Sequence, residues 1–193
     1  CLVGSEMCIR DRVYAPAFTN YVEGIYVGYK YYETAAQEGA IDYDKTVQYP
    51  FGYGLSYTEF EQKMGELEEK DGQISVDVEV TNTGDVAGKD VVEVYYKPPY
   101  TNGGIEKASA NLIEFAKTDL LQPGESQIVT ATFSIEDMAS YDENNAKAYV
   151  LEKGDYVISI NSDSHTVLDQ KTYTADKDLS LIHISEPTRH AQI

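Results

Sequence analysis

Several groups of side chains in this 193-residue chain could in principle do chemistry. Glu23, beside Gly24 in a tyrosine- and glycine-rich stretch, offers a carboxylate for proton transfer. Asp163, Ser164 and His165 are the residue types of a serine-hydrolase relay. Neighbours on an extended chain alternate faces, however, and cannot line up nucleophile, base and orienter. Asp137, Asp142 and Glu143 are oxygen donors suited to calcium, but their spacing lacks the alternating acidic order and glycine of an ion loop. The tyrosines between Tyr21 and Tyr57 could stack on sugar faces; core packing and a domain interface are the plainer use of such rings. No phosphate-cradling glycine loop and no zinc-ligand set occurs. The chain's own residues therefore point to no catalytic residue, no metal and no cofactor, and they leave any substrate-binding residues unassigned.

The elements that position these residues are organised around one stretch, Gln48-Tyr49-Pro50-Phe51-Gly52-Tyr53-Gly54-Leu55-Ser56-Tyr57-Thr58-Glu59-Phe60. Its aromatics supply large buried area at low entropy cost, and its glycines permit close backbone approach. Before it, residues 25–32 are rich in β-branched and aromatic side chains and read as a strand, with one helical turn over 33–38 and a polar loop at 42–45. After it, residues 61–72 are charged and read as the end of a strand or an exposed linker. Gln73-Ile74-Ser75-Val76-Asp77-Val78-Glu79-Val80 then alternates without a fault, the pattern of an antiparallel strand with one face buried and one wet. Further strands are expected over 89–96, 128–135, 146–151 and 156–160, with an extended, more polar run over 165–173. Turn chemistry separates them at Asn82-Thr83-Gly84-Asp85 and Pro123-Gly124-Glu125. Ser134 is placed to cap a single helical turn that crosses between sheets. Roughly seven short strands at regular spacing predict an immunoglobulin- or fibronectin III-like β-sandwich.

The two ends differ from everything between them. Both cysteines (Cys1 and Cys8), all three arginines and two of the three histidines lie in residues 1–12 and 179–193, and His165 is the only histidine between. The strings at 2–11 and 179–189 are the translations, in opposite orientations, of DNA resembling the transposase-end adapter used in sequencing libraries. Residues 1–12 and 179–193 are therefore read as adapter-derived and set aside from fold reasoning. The formal charge of -18 is the same with or without them. Such a surface repels nucleic-acid phosphates and anionic membranes, and suits neutral ligands. No apolar run approaches the length needed to span a bilayer.

Two motifs, Glu23-Gly24-Ile25-Tyr26-Val27-Gly28-Tyr29-Lys30-Tyr31-Tyr32 and Tyr49-Pro50-Phe51-Gly52-Tyr53-Gly54-Leu55-Ser56-Tyr57, resemble glycoside hydrolase family 3. In beta-glucosidases and related exo-glycosidases of that family this pair ends the α/β sandwich domain; Lys30 stands where arginine is more usual. Downstream, Val80-Thr81-Asn82-Thr83-Gly84-Asp85-Val86-Ala87-Gly88, Leu121-Gln122-Pro123-Gly124-Glu125-Ser126 and Gly154-Asp155-Tyr156-Val157-Ile158 are similar to the fibronectin type III-like domain that follows in many members. The resemblance implies a mainly β chain divided as follows: residues 13–62 the incomplete tail of the α/β domain, 63–71 a linker, and 72–175 the fibronectin-like sandwich.

It also implies retaining hydrolysis of a terminal β-linked sugar by two carboxylates about 5 Å apart. In the family the aspartate nucleophile sits in a barrel and the glutamate acid/base generally lies upstream of the matched motif. Glu23 is accordingly expected to be a structural acceptor, and this chain alone to be inactive. Its partners would be the missing barrel and the rest of the α/β domain, with an oligo- or disaccharide as the parent's substrate and neither nucleic acid nor membrane. The sandwich would brace the catalytic domains and lend a loop to the pocket rim. The ending Ile160-Asn161-Ser162-Asp163-Ser164-His165-Thr166-Val167 resembles members in which the barrel follows the fibronectin-like domain; that order would tilt an otherwise open localisation toward the cytoplasm of a bacterium. The rival reading from another class is a stand-alone carbohydrate-binding or adhesion module with an immunoglobulin-like fold, for which the two aromatic motifs would have no use.

Overall fold

A computed structural model describes residues 24–181. Two short helices, α1 (Tyr29–Gln37) and α2 (Tyr43–Thr46), precede ten strands: β1 (Phe60–Lys70), β2 (Gln73–Asn82), β3 (Val91–Lys97), β4 (Asn111–Lys117), β5 (Ser126–Ser134), β6 (Ser140–Asp142), β7 (Ala148–Leu151), β8 (Gly154–Asn161), β9 (Val167–Ala175) and β10 (Leu179–Leu181). They form an antiparallel sheet β1-β2-β5, a second antiparallel sheet β4-β3-β8-β9 and a small sheet β10-β7-β6.

The alternation in β2 sets the core. Ile74, Val76, Val78 and Val80 all point inward and are fully buried, while Asp77 and Glu79 between them face water. Each such aliphatic contributes roughly 1.5–3 kcal/mol by leaving water. Val129, Ala131 and Phe133 on β5 and Met64 on β1 extend this layer, and it packs on Val92 and Val94 of β3 and on Tyr156, Ile158 and Ile160 of β8. A 3-10 turn (Ile135–Met138) carries the chain from β5 to β6. Ser134 caps it as expected: its Oγ accepts from the Glu136 N–H and its N–H donates to Asp137 Oδ2, each at 3.2 Å. The turn seals one end of the core by burying Met138 completely.

Three local expectations are revised. The stretch 25–32 is not a strand: Gly28, at φ +58, turns the chain into α1, which begins at Tyr29. Aromatic and β-branched composition argued for a strand, but helical spacing puts Tyr29 and Glu33 on one face where both find partners, and tertiary packing overrides propensity. Residues 63–71 are not a linker. Nearly all of them lie in β1, whose charges face water while Met64 and Leu67 turn toward the core, with a bulge between those two residues. The polar loop at 42–45 includes the start of α2. Residues 179–181, set aside with the terminal string, pair as β10 with β7; residues 1–12, Glu23 and 182–193 lie outside the described residues.

Asn82 pins the sandwich to the chain that enters it. The residue has no exposed surface. Its Oδ1 accepts from Thr58 Oγ1 at 2.7 Å and from the Gly84 N–H at 3.1 Å, and its Nδ2 donates to the Val86 and Leu121 carbonyls at 2.8 and 2.9 Å. The carboxamide is thus satisfied on every side by four groups from three separate pieces of chain, around Thr58, Gly84–Val86 and Leu121. Gly84 belongs to the same knot, since a Cβ there would lie 2.3 Å from Thr58 Oγ1 and 2.7 Å from the Glu59 nitrogen. Asn82→Ala would orphan several of these groups at once. It is expected to lower unfolding free energy by about 3 kcal/mol, read by urea titration, whereas Thr83→Ala on the exposed neighbour should change it by less than about 0.5 kcal/mol.

Candidate functional site

The outer face of the four-stranded sheet is covered by residues 24–60, and this contact is the most elaborate polar and aromatic arrangement in the described chain. Tyr29 stacks on Phe51 with ring centroids 4.7 Å apart and meets Tyr95 of β3 edge-on at 6.2 Å. These are the two favoured geometries for aromatic pairs. The Tyr29 hydroxyl accepts the Leu112 N–H at 3.0 Å, Thr34 Oγ1 accepts the Ser109 N–H at 3.0 Å, and the Phe51 carbonyl accepts the Ser164 N–H at 2.8 Å. Each bond joins the N-terminal segment to the sandwich.

One helical turn beyond Tyr29, the buried carboxylate of Glu33 gathers three donors. Tyr43 Oη donates to Oε1 at 2.6 Å, Ser164 Oγ donates to the same oxygen at 2.8 Å, and His165 Nδ1 lies 2.8 Å from Oε2. The Tyr43 and His165 rings stack almost parallel, 3.7 Å apart. Burial, reinforced by the bond to Glu33, pushes the Tyr43 hydroxyl well above its ordinary pKa, so it stays a donor at neutral pH. Asp163 Oδ1 accepts the backbone N–H groups of His165 and Thr166 and shapes the turn that presents both Ser164 and His165.

That geometry answers the relay-like triplet. Ser164 donates its hydroxyl hydrogen bond to Glu33, His165 bonds Glu33 through Nδ1, and Asp163 is used by backbone amides. The side chains are engaged in holding α1 to the β8–β9 connection. Sequence reasoning singled out His165 but missed Glu33, whose signal was its i+4 spacing from Tyr29 in the matched motif. Glu23 lies outside the described residues, as do Cys1, Cys8 and Tyr21. Asp137 caps the 3-10 turn, and the Asp142 carboxylate accepts the N–H groups of Asn144, Asn145 and Ala146. Those bonds, the one from Ala146 foremost, hold its pKa below the usual carboxylate range. Among the described residues no group of three or more His, Cys, Asp and Glu side chains is arranged to hold a metal ion, and no helix is long and apolar enough to cross a membrane.

The tyrosines divide into two sets. Tyr29, Tyr43 and Tyr95 are used in the seam, whereas Tyr49 and Tyr53 form a tilted, exposed pair 5.2 Å apart. Leu55 and Tyr57 are 89% and 99% exposed, with Ile25, Val27, Tyr31 and Phe51 also open to solvent. Apolar surface this extensive on a short segment marks a contact face. Beneath the seam, Gly52 at φ +86 passes so close to Glu93 that a Cβ would fall 2.5 Å from Oε2. Tyr95 Oη donates to that oxygen at 2.8 Å. Burial raises the Glu93 carboxyl despite this bond.

The sandwich thus carries on its outer face an aromatic segment whose far side is bare. Residues 90–164 match the Fibronectin type III-like domain family. Most of the chain also matches one stretch of several beta-glucosidases. It is 39% identical to Beta-glucosidase A of Butyrivibrio fibrisolvens over 87% of this chain and 22% of that protein, and 39% identical to a Beta-glucosidase of Ruminococcus albus over 81% and 16%. Beta-glucosidase 3B of Thermotoga neapolitana, solved in complex with alpha-D-glucose, superposes with a TM-score of 0.71 at 36% identity, covering 83% of this chain and 21% of that one. Beta-glucosidase of Kluyveromyces marxianus, in complex with glucose, gives 0.73 at 33% identity, covering 83% and 18%. The chain thus spans about a fifth of the length of these relatives.

Two outcomes follow from the seam. Glu33→Ala removes a charged acceptor shared by three donors and is expected to weaken docking of residues 24–60 by on the order of 2 kcal/mol. Limited proteolysis within 38–50 should then accelerate about thirtyfold, with little change in the melting temperature of the sandwich. Glu93, whose folded pKa lies above its unfolded one, favours the folded state fully below the ordinary carboxyl range, and that contribution is lost as pH rises through the raised value. Glu93→Gln, which keeps an acceptor for Tyr95, should therefore flatten the fall in melting temperature as pH rises above the ordinary carboxyl range.

Proposed function

We infer that the chain is the non-catalytic brace of a retaining, exo-acting beta-glucosidase of family 3. The observation that carries this reading is the seam itself. Tyr29, Phe51, Glu33 and Tyr95 lock an aromatic segment to the sandwich, while the other side of that segment leaves Leu55, Tyr57, Tyr49 and Tyr53 bare. A free module needs neither half of this arrangement. The bare side is where the remainder of the α/β domain would pack, and the carboxylates of the reaction would lie there and in the barrel. The brace acts by positioning: a displacement of about 1 Å in groups that orient a substrate is enough to cost orders of magnitude in rate. The identities to beta-glucosidases across both the tail and the sandwich support the same reading.

The test is to recover the flanking gene, express the whole protein and compare it with this chain on an aryl β-D-glucoside. The whole protein is expected to release glucose with the β configuration retained at the anomeric carbon, and the 193-residue chain to stay at the buffer rate. Hydrolysis by the chain alone, or a complete gene without barrel and acid/base sequence, would overturn the reading.

A further inference from the structure

The connection between β3 and β4, residues 98–110, is fastened at its roots and free at its tip. Lys107 Nζ donates to the Pro99 carbonyl at 2.6 Å and pairs with Glu152, and Asn111 Nδ2 donates to the Ala108 carbonyl at 2.9 Å. Residues 101–104 between these roots are exposed. Among the described residues, the bond that orders them runs from the Gly104 N–H to the Thr101 carbonyl at 2.9 Å. Asn102 and Gly103 are therefore the central residues of a turn, and Gly103, at φ +82, occupies the left-handed position that such a turn requires.

Asn102 thus stands beside a main-chain nitrogen that has no acceptor among the described residues. Gly103 has no Cβ to hinder close approach to that nitrogen. The other described asparagines differ, because the nitrogen that follows each is already engaged. After Asn82, the Thr83 N–H donates to the Glu59 carbonyl; after Asn161, the Ser162 N–H donates to the Thr166 carbonyl. After Asn111, the Leu112 N–H donates to Tyr29 Oη. The nitrogens that follow Asn144 and Asn145 both donate to the Asp142 carboxylate.

We propose that Asn102 is a site of covalent self-modification, in which the Gly103 nitrogen closes a succinimide ring on the Asn102 side chain. The Gly103 amide gives its proton to water and its nitrogen attacks Cγ. The N–Cγ bond forms, the Cγ–Nδ2 bond breaks, and the leaving nitrogen takes up a proton and departs as ammonia. Holding the two groups next to each other makes the attack unimolecular. Water then opens the ring: attack at Cγ leaves aspartate, and attack at the main-chain carbonyl carbon leaves isoaspartate, whose main chain runs through Cβ and Cγ. Nothing is oxidised or reduced; one water is consumed and one ammonia released. Either product adds a negative charge to a chain already at -18. The site stands on this loop alone and holds whether or not a longer protein hydrolyses glycosides.

The experiment incubates the folded chain at mildly alkaline pH and maps its peptides by mass spectrometry, with fragmentation that separates isoaspartate from aspartate. The peptide carrying Asn102 is expected to gain about 1 Da and to contain both products. It should convert about tenfold or more faster than the peptides carrying Asn82, Asn111, Asn144, Asn145 and Asn161. Unfolding in urea frees the engaged nitrogens, so conversion at Asn144 and Asn145 should accelerate while Asn102 stays within about threefold of its folded rate. Asn102→Gln, whose longer side chain would have to close a larger ring, should abolish the gain and leave the melting temperature unchanged. Asn102 remaining intact in the folded chain, while a free peptide of residues 100–105 converts, would overturn the proposal. So would conversion of Asn144 or Asn145 in the folded chain as fast as Asn102.

Discussion

The sheet β4-β3-β8-β9 must be covered on both faces, and that constraint organises the molecule. Its inner face carries Val92, Val94, Tyr156, Ile158 and Ile160, which can leave water only against β1-β2-β5. Its outer face carries Tyr95, only 2% exposed, with Ser159 and Asn161 also buried. Exposed sheet faces in a sandwich are normally polar and wet. Here a second cover is required, and residues 24–60 supply it. The inner contact is apolar and tolerant of small shifts. The outer one is built from directional bonds to Glu33, Tyr29, Thr34 and Phe51, which fix one orientation of the cover.

Burying charge in such a contact demands full pairing. Glu33 meets the condition through Tyr43, Ser164 and His165, and Lys107 meets it through Glu152 and the Pro99 carbonyl. Groups of this kind contribute geometry more than net stability, because much of their attraction only offsets desolvation. A brace between domains needs that property: a defined angle held without a large apolar interface. The same segment presents bare aromatics on its far side, so it can be gripped from two directions.

The sandwich was legible in the sequence because its strands obey a single rule. Ile74, Val76, Val78 and Val80 announce β2 by alternation, and Ser134 announces its turn by capping chemistry. The outer contact was less legible. Tyr29 and Phe51 stood out by type, but the composition of 25–32 argued for a strand, since only tertiary partners choose the helix there. Glu33 carries only the weak signal of its i+4 spacing from Tyr29, and Asn161 carries no local signal. The importance of Glu33 depends on residues more than a hundred positions away, and the burial of Asn161 on the cover being in place. Charged residues hid β1 for a different reason: a strand with one wet face can read as linker when that face is crowded with Glu and Lys.

A nine-residue helix such as α1 is too short to persist alone in water, so its order must come from docking. Native-state amide hydrogen exchange measures this directly. If the seam holds as described, the amides of α1 should be protected together with those of Ser109, Leu112 and Ser164, and all should open in one event of lower free energy than the β2 and β5 core. Exchange of the α1 amides at unprotected rates, with Leu112 and Ser164 unaffected, would contradict the docked arrangement and with it the proposed role of the sandwich as a brace.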